Sequence, residues 1–110
     1  MGLSTHVLDT SRGRPAAGIA VTVKHATTVG LWTLVASGTT DNDGRVKPLL
    51  ESVDVGVYRI TFELDPYFAS LGQAAFYPQA IIEFRVVNAL EHYHVPLLLN
   101  PFGYATYRGS

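Results

Sequence analysis

The chain has 110 residues, 47% of them hydrophobic and 15% charged, with a formal net charge of -1. This supplies one core and so a single domain over 1–110, excludes disulfide and thiolate chemistry because cysteine is absent, and argues against nucleic acid, which needs a clustered basic surface. A small monomer has difficulty covering so apolar a composition, and a homo-oligomer is expected.

The N-terminal region lacks a basic segment followed by an apolar run, and no stretch reaches membrane-spanning length. The expectation is a soluble, cytoplasmic chain with no membrane partner, made without a cleaved secretory signal. The last residues, Arg108-Gly109-Ser110, differ from the Ser-Lys-Leu peroxisomal ending, while periplasm and peroxisome both stay open.

Residues 5–10 give a short β-like segment, followed by a turn-rich connection over 11–18. Over 19–24, Ile19, Val21 and Val23 alternate with Ala20, Thr22 and Lys24, the period of a half-buried strand. Residues 31–36 make the next strand, and 39–44 form a polar loop ending in the tight turn Asp43-Gly44, where glycine takes positive φ. A weaker extended segment begins at Val46 and stops near Pro48. Residues 55–64 alternate clearly, with Tyr58, Ile60, Phe62 and Leu64 on one side. Asp65-Pro66 reads as an N-cap followed by proline at the first helical position, and Gly72 sits where a short helix carrying Tyr67, Phe68 and Leu71 would stop. Residues 80–87 return to β. From His92 the chain runs through two strands joined by a turn at Asn100-Pro101 and Gly103. On the first of these, His92, His94, Pro96 and Leu98 share one face, and Tyr93, Val95, Leu97 and Leu99 the other. Seven or eight short strands with one helix predict an all-β antiparallel sandwich.

The order of four motifs carries a resemblance: Leu3-Ser4-Thr5-His6-Val7-Leu8-Asp9, Asp43-Gly44-Arg45, His92-Tyr93-His94-Val95-Pro96-Leu97-Leu98 and the ending Tyr107-Arg108-Gly109-Ser110. Together they resemble the transthyretin-like family in its enzymatic branch, the 5-hydroxyisourate hydrolases. Ala105 is a small departure, at a position where many members carry serine. The resemblance implies an eight-stranded transthyretin-like β-sandwich that assembles as a homotetramer, a dimer of dimers around a central channel. It implies 5-hydroxyisourate as substrate, no cofactor and no metal.

The resemblance also implies the site. His6, Arg45 and His94 match the family's catalytic residues, whereas transport members carry lysine, glutamate and threonine at these three positions. Alone, Arg45 would be a solvated charge after a turn, and His25 remains an ordinary surface histidine. Tyr107, Arg108 and Ser110 are expected to bind substrate, because the family's tail folds back to complete the site and narrow the channel, and His92 is expected at the site's edge.

The residue types suit the chemistry. Hydrolysis opens the six-membered ring of 5-hydroxyisourate by adding water to a carbonyl. A neutral imidazole with an unperturbed pKa near ~6.5 is suited to take the proton of water. A guanidinium stabilises the oxyanion and holds an anionic substrate. His6 and His94 form the acid/base pair and Arg45 the electrostatic clamp; which histidine is the base stays open. Rival readings are a carrier of small aromatic ligands, a zinc site built on His-X-His, and a purely structural module. Arg45, the paired histidines and the tail count against the first, no family requirement for metal supports the second, and the third would leave the matched triad unexplained.

Overall fold

The computed structural model describes residues 2–110. Among them are eight strands and one short helix: β1 (Leu3–Asp9), β2 (Arg14–Pro15), β3 (Ala20–Ala26), β4 (Thr33–Thr39), β5 (Gly56–Glu63), α1 (Asp65–Ser70), β6 (Gln79–Val86), β7 (Tyr93–Asn100) and β8 (Gly103–Thr106). They form two four-stranded sheets, ordered β2-β1-β7-β8 and β4-β3-β5-β6, which is the sandwich expected. Every pairing is antiparallel except β1 with β7, which run parallel. The chain between them crosses the whole second sheet, so β7 can return to β1 without a hairpin and is free to take that direction. None of the helices is long and apolar enough to cross a membrane.

The core lies between the sheets. Alternation along β5 sends Tyr58, Ile60 and Phe62 inward against Val7 of β1 and Leu97 and Leu99 of β7, with Phe68 of the helix closing one end. Burying one such side chain contributes roughly 1.5–3 kcal/mol.

Several boundaries differ from the sequence reading. Leu64, not Asp65, is the N-cap, with helical backbone angles and no side-chain cap bond. Leu64 is fully buried and its amide donates to Pro78 O at 2.9 Å, while the Asp65 amide reaches the same oxygen at 3.2 Å. Tertiary packing thus satisfies the first amides, and Asp65 is left to place its charge in the first turn. Strand β4 starts later and runs further than expected, because its ladder with β3 continues to Thr39 opposite Ala20. Two residues of the expected turn, Arg14 and Pro15, pair with β1 as β2. The extended segment expected after Val46 is not a strand. Residues 45–50 are irregular and attach to β1 through two isolated bridges, His6 with Arg45 and Leu3 with Leu50.

At the far end of β1, Asp9 is buried and ties three elements together. Its carboxylate accepts from Tyr67 Oη at 2.7 Å, Ser11 Oγ at 2.6 Å and the amides of Ser11 and Arg12. Burial alone would raise the Asp9 carboxyl, but the bonds from Ser11, Tyr67 and Arg12 together hold it below the usual carboxylate value.

Candidate active site

Strand β1 alternates buried and half-buried residues, so Ser4, His6 and Leu8 lie on the outer face of the first sheet. On β7 the same face carries His94, Pro96 and Leu98. The parallel register sets Ser4 opposite His94 and His6 opposite Pro96. The two catalytic candidates on strands therefore share one face, two residue pairs apart along the ladder.

Arg45 reaches this face through the turn that precedes it. Asp41 Oδ1 accepts the amides of Asp43 at 2.8 Å and Arg45 at 3.0 Å, and Gly44 N donates to Asp41 O at 2.9 Å. The Arg45 amide bond, with the nearby charges of Lys47 and Arg45, holds the Asp41 carboxyl below its ordinary value. Gly44 has φ +75°, and a methyl there would overlap Val7 O and touch the His6 ring. Only glycine allows both the turn and the close approach that pins Arg45 beside His6.

A cavity of about 250 Å³ opens among Ser4, Arg45, Lys47, His92, His94 and Ser110. It continues into a groove of about 470 Å³ that shares Ser4, Lys47 and His92. Ser4 Oγ lies 2.8 Å from His94 Nδ1 and 2.9 Å from His92 Nε2. His94 is half-buried, and this burial, followed by the positive charge of His6, His92 and Arg45, pushes its pKa below the usual histidine value. At neutral pH this imidazole is uncharged. Its Nδ1 is engaged by Ser4, and its Nε2 makes no hydrogen bond to the described residues.

The tail folds back onto the same strand. Gly109 N donates to His94 O at 2.8 Å in a bridge that extends the β7–β8 ladder. A methyl on Gly109 would overlap the His94 ring, so the tail backbone lies directly against the imidazole. Ser110 then lines the cavity.

Of the residues singled out in the sequence, the structure brings His92, His94, Arg45 and Ser110 to one cavity, with His6 bridged to Arg45 at its side. Tyr107 and Arg108 do not line it. They border a separate cavity of about 250 Å³ with Ile82, Phe84, Tyr93 and Val95. The Arg108 guanidinium sits 4.6 Å above the Tyr93 ring and 3.4 Å from Glu91. For Arg108 the physical reason is alternation: with Gly109 opposite His94 on the outer face, Arg108 falls on the opposite face of the sheet. His25 stacks on Tyr58 far from this face, as an ordinary structural histidine does. Ser4 and Lys47 were missed. Ser4 lies two residues before His6, on the same strand face, and that spacing was the available signal; Lys47 follows Arg45 in an irregular segment that offered none.

A model of the HIUase/Transthyretin family matches residues 3–109. The chain belongs to this family. It is 44% identical to the 5-hydroxyisourate hydrolase of Salmonella dublin, over 98% of this chain and 80% of that protein. The fold is similar to the solved structure of Klebsiella pneumoniae 5-hydroxyisourate hydrolase, with a TM-score of 0.87, 33% identity and 100% of both chains covered. It is equally similar in shape to transthyretin from Sparus aurata, with a TM-score of 0.91, 34% identity, and 97% of this chain and 95% of that one covered. Shape alone therefore does not separate the hydrolase from the transthyretin among these neighbours.

Proposed function

We propose that the protein hydrolyses 5-hydroxyisourate to 2-oxo-4-hydroxy-4-carboxy-5-ureidoimidazoline in urate catabolism, without a metal or other cofactor. The observation that carries this reading is His94: a neutral imidazole with a free Nε2, in the same cavity as a permanent cation, Arg45. The similarity to 5-hydroxyisourate hydrolases over nearly the whole chain supports the substrate.

In this reading His94 is the general base. Its Nε2 takes the proton of a water that attacks the ring carbonyl, a contribution of roughly 10²–10⁴ in rate. Charge then develops on the carbonyl oxygen, and the Arg45 guanidinium stabilises it, at a worth of about 10²–10³ for a well-placed donor. His6, whose backbone is bridged to that of Arg45, serves as the second acid/base group. His92 and Ser110 hold the substrate's polar edge. Arg108, proposed with Tyr107 as substrate-binding from the sequence, helps to anchor the tail within one chain through its place over the Tyr93 ring. The apolar members of the outer face, Leu8 and Leu98 among them, are half-buried in one chain. A homotetramer that encloses this face as a channel would cover them. Light scattering should accordingly give four times the 12.0 kDa chain mass.

The test is to add the protein to freshly generated 5-hydroxyisourate and follow its ultraviolet decay against the spontaneous rate. Acceleration is expected. An unchanged decay rate with folded, tetrameric protein, together with tight binding of an aromatic ligand such as thyroxine, would favour the carrier reading suggested by the likeness to transthyretin.

A further inference from the structure

We propose that Ser4 couples the protons of His94 and His92, so that the base of the reaction is a relay of two imidazoles joined by one hydroxyl. The proposal deepens the hydrolytic reading and rests on it. Its basis is the geometry of three polar groups on the outer face: Ser4 Oγ is within hydrogen-bond distance of both His94 Nδ1, at 2.8 Å, and His92 Nε2, at 2.9 Å. Neither contact is accidental in register, because Ser4 is the direct partner of His94 across the β1–β7 ladder and His92 is two residues away on the same face.

A serine hydroxyl has one proton to donate and accepts from others. With both imidazoles neutral and the Ser4 proton directed at one of them, two arrangements satisfy both bonds. In one, Ser4 donates to His92 Nε2 and accepts from His94 Nδ1–H, which leaves His94 Nε2 bare. In the other, Ser4 donates to His94 Nδ1 and accepts from His92 Nε2–H, which leaves His94 Nε2 protonated. The first state is a base and the second an acid. Hydrolysis at a carbonyl bonded to nitrogen needs them in that order.

The steps balance. As the water oxygen bonds to the carbonyl carbon, the carbonyl π pair moves onto oxygen beside Arg45 and the water proton goes to His94 Nε2. His94 Nδ1–H passes to Ser4, the Ser4 proton passes to His92 Nε2, and His92 releases its Nδ1 proton to solvent. When the oxyanion collapses and the carbon–nitrogen bond breaks, the leaving nitrogen takes the proton from His94 Nε2. Ser4 then returns a proton to His94 Nδ1, His92 Nε2–H refills Ser4, and His92 Nδ1 recovers a proton from solvent. One water is consumed and the three groups are reset.

The surroundings give the relay a direction. The charged and titratable side chains facing His94 are His6 from β1, Arg45 and Lys47 from the loop after β4, and His92 on its own chain segment, all basic, while Ser110 brings a carboxylate to the same cavity. Burial and the basic side chains outweigh it, so His94 is a poor place to store a proton. His92 is exposed at the mouth of the cavity, where water can carry the proton away. Ser4 is thus a positioning residue that acts through His94.

The experiment uses the full chain with Ser4→Ala, Ser4→Thr and His92→Phe. Ser4→Ala and His92→Phe should each lose on the order of tenfold or more in kcat with melting unchanged; KM should stay within about twofold in Ser4→Ala and rise in His92→Phe, which also loses its contact with the substrate's polar edge, and Ser4→Thr, which keeps the hydroxyl, should regain most of the loss. Added imidazole at fixed pH and ionic strength should restore kcat in His92→Phe and leave the wild type unaffected. Wild-type kcat in both Ser4→Ala and His92→Phe, or a Ser4→Thr no better than Ser4→Ala, would overturn the relay. A nitrogen-15 NMR titration without substrate separates this from the hydrolytic reading. Coupled titration of His92 and His94 that becomes independent in Ser4→Ala supports the link even if 5-hydroxyisourate decay is not accelerated; independent titration in the wild type sinks it even if the enzyme is active.

Discussion

Gly109→Ala tests whether the tail sets the position of the base. Gly109 is not among the glycines with positive φ, so alanine fits the backbone there. What the new methyl meets is the His94 imidazole, at Cδ2 and then Cγ. Two responses are open. The ring can swing away and give up the 2.8 Å bond from Nδ1 to Ser4, or the tail can lift, breaking the 2.8 Å bond from Gly109 N to His94 O and withdrawing Ser110 from the cavity. One hydrogen bond is worth about 1 kcal/mol, or roughly fivefold, and displacement of a reacting group by ~1 Å costs on the order of a hundredfold. The expected loss in kcat/KM is therefore about 10–100-fold. Stability should change little, because 107–110 pack at the edge of the first sheet, where Tyr107, Arg108 and Ser110 are exposed and Gly109 is half-buried; a loss of ~1 kcal/mol would lower Tm by about 5 °C. Hydroxyisourate decay and thermal melting on the same sample separate the cases. Wild-type kcat/KM would refute the contact between tail and imidazole, and a Tm drop well beyond ~5 °C would show that the tail holds the fold and not the site.

The remaining predictions concern protons and metal. His94 is expected to work as the neutral form with its pKa pushed below 6.5, so kcat/KM should fall as pH drops through a range below that value; a limb at or above pH 7, or a flat profile down to pH 4, would remove His94 as the base. Asp9 is held below its ordinary 3.8, so its contribution to stability is complete above that pH and is lost as pH falls towards the lowered value. Asp9→Asn should cost about 2 kcal/mol at pH 7, by loss of the charged acceptor for Tyr67 and Ser11, and should flatten the acid limb of urea stability; an unchanged urea midpoint at pH 7 would refute it. Exhaustive chelation should leave hydrolysis intact, and loss that zinc alone restores would overturn the metal-free mechanism.

The strands that alternation marks are the ones whose burial is decided locally. Tyr58, Ile60, Phe62 and Leu64 are all buried, as the period of two requires. The segments that differ are those whose state is set by a pairing partner and not by their own pattern. Arg14 and Pro15 become a strand only because β1 passes beside them, and 45–50 fail to become one because Pro48 interrupts an already short run and two isolated bridges suffice to hold it. The parallel sense of β1 and β7 belongs to this class. Seven residues of β1 pair with seven of β7, and no local feature announces which direction the pairing takes.

That direction governs the site. On their own, His6 and His94 are two histidines on two strands, and Arg45 is an exposed cation after a turn. Their convergence requires that Ser4 face His94 and His6 face Pro96 in the parallel ladder, and that Gly44 let the following turn approach Val7 closely. A slip of one residue between β1 and β7 would send one histidine into the core and the other to the outer face, because side chains alternate with a period of two. Core residues of the same strands prevent that slip: Leu3, Val7, Leu97 and Leu99 are all buried to 1% exposure or less. The apolar side of β1 and β7 is thus what sets the distance from Ser4 to His94. A core substitution such as Val7→Ala would weaken this register as well as the packing.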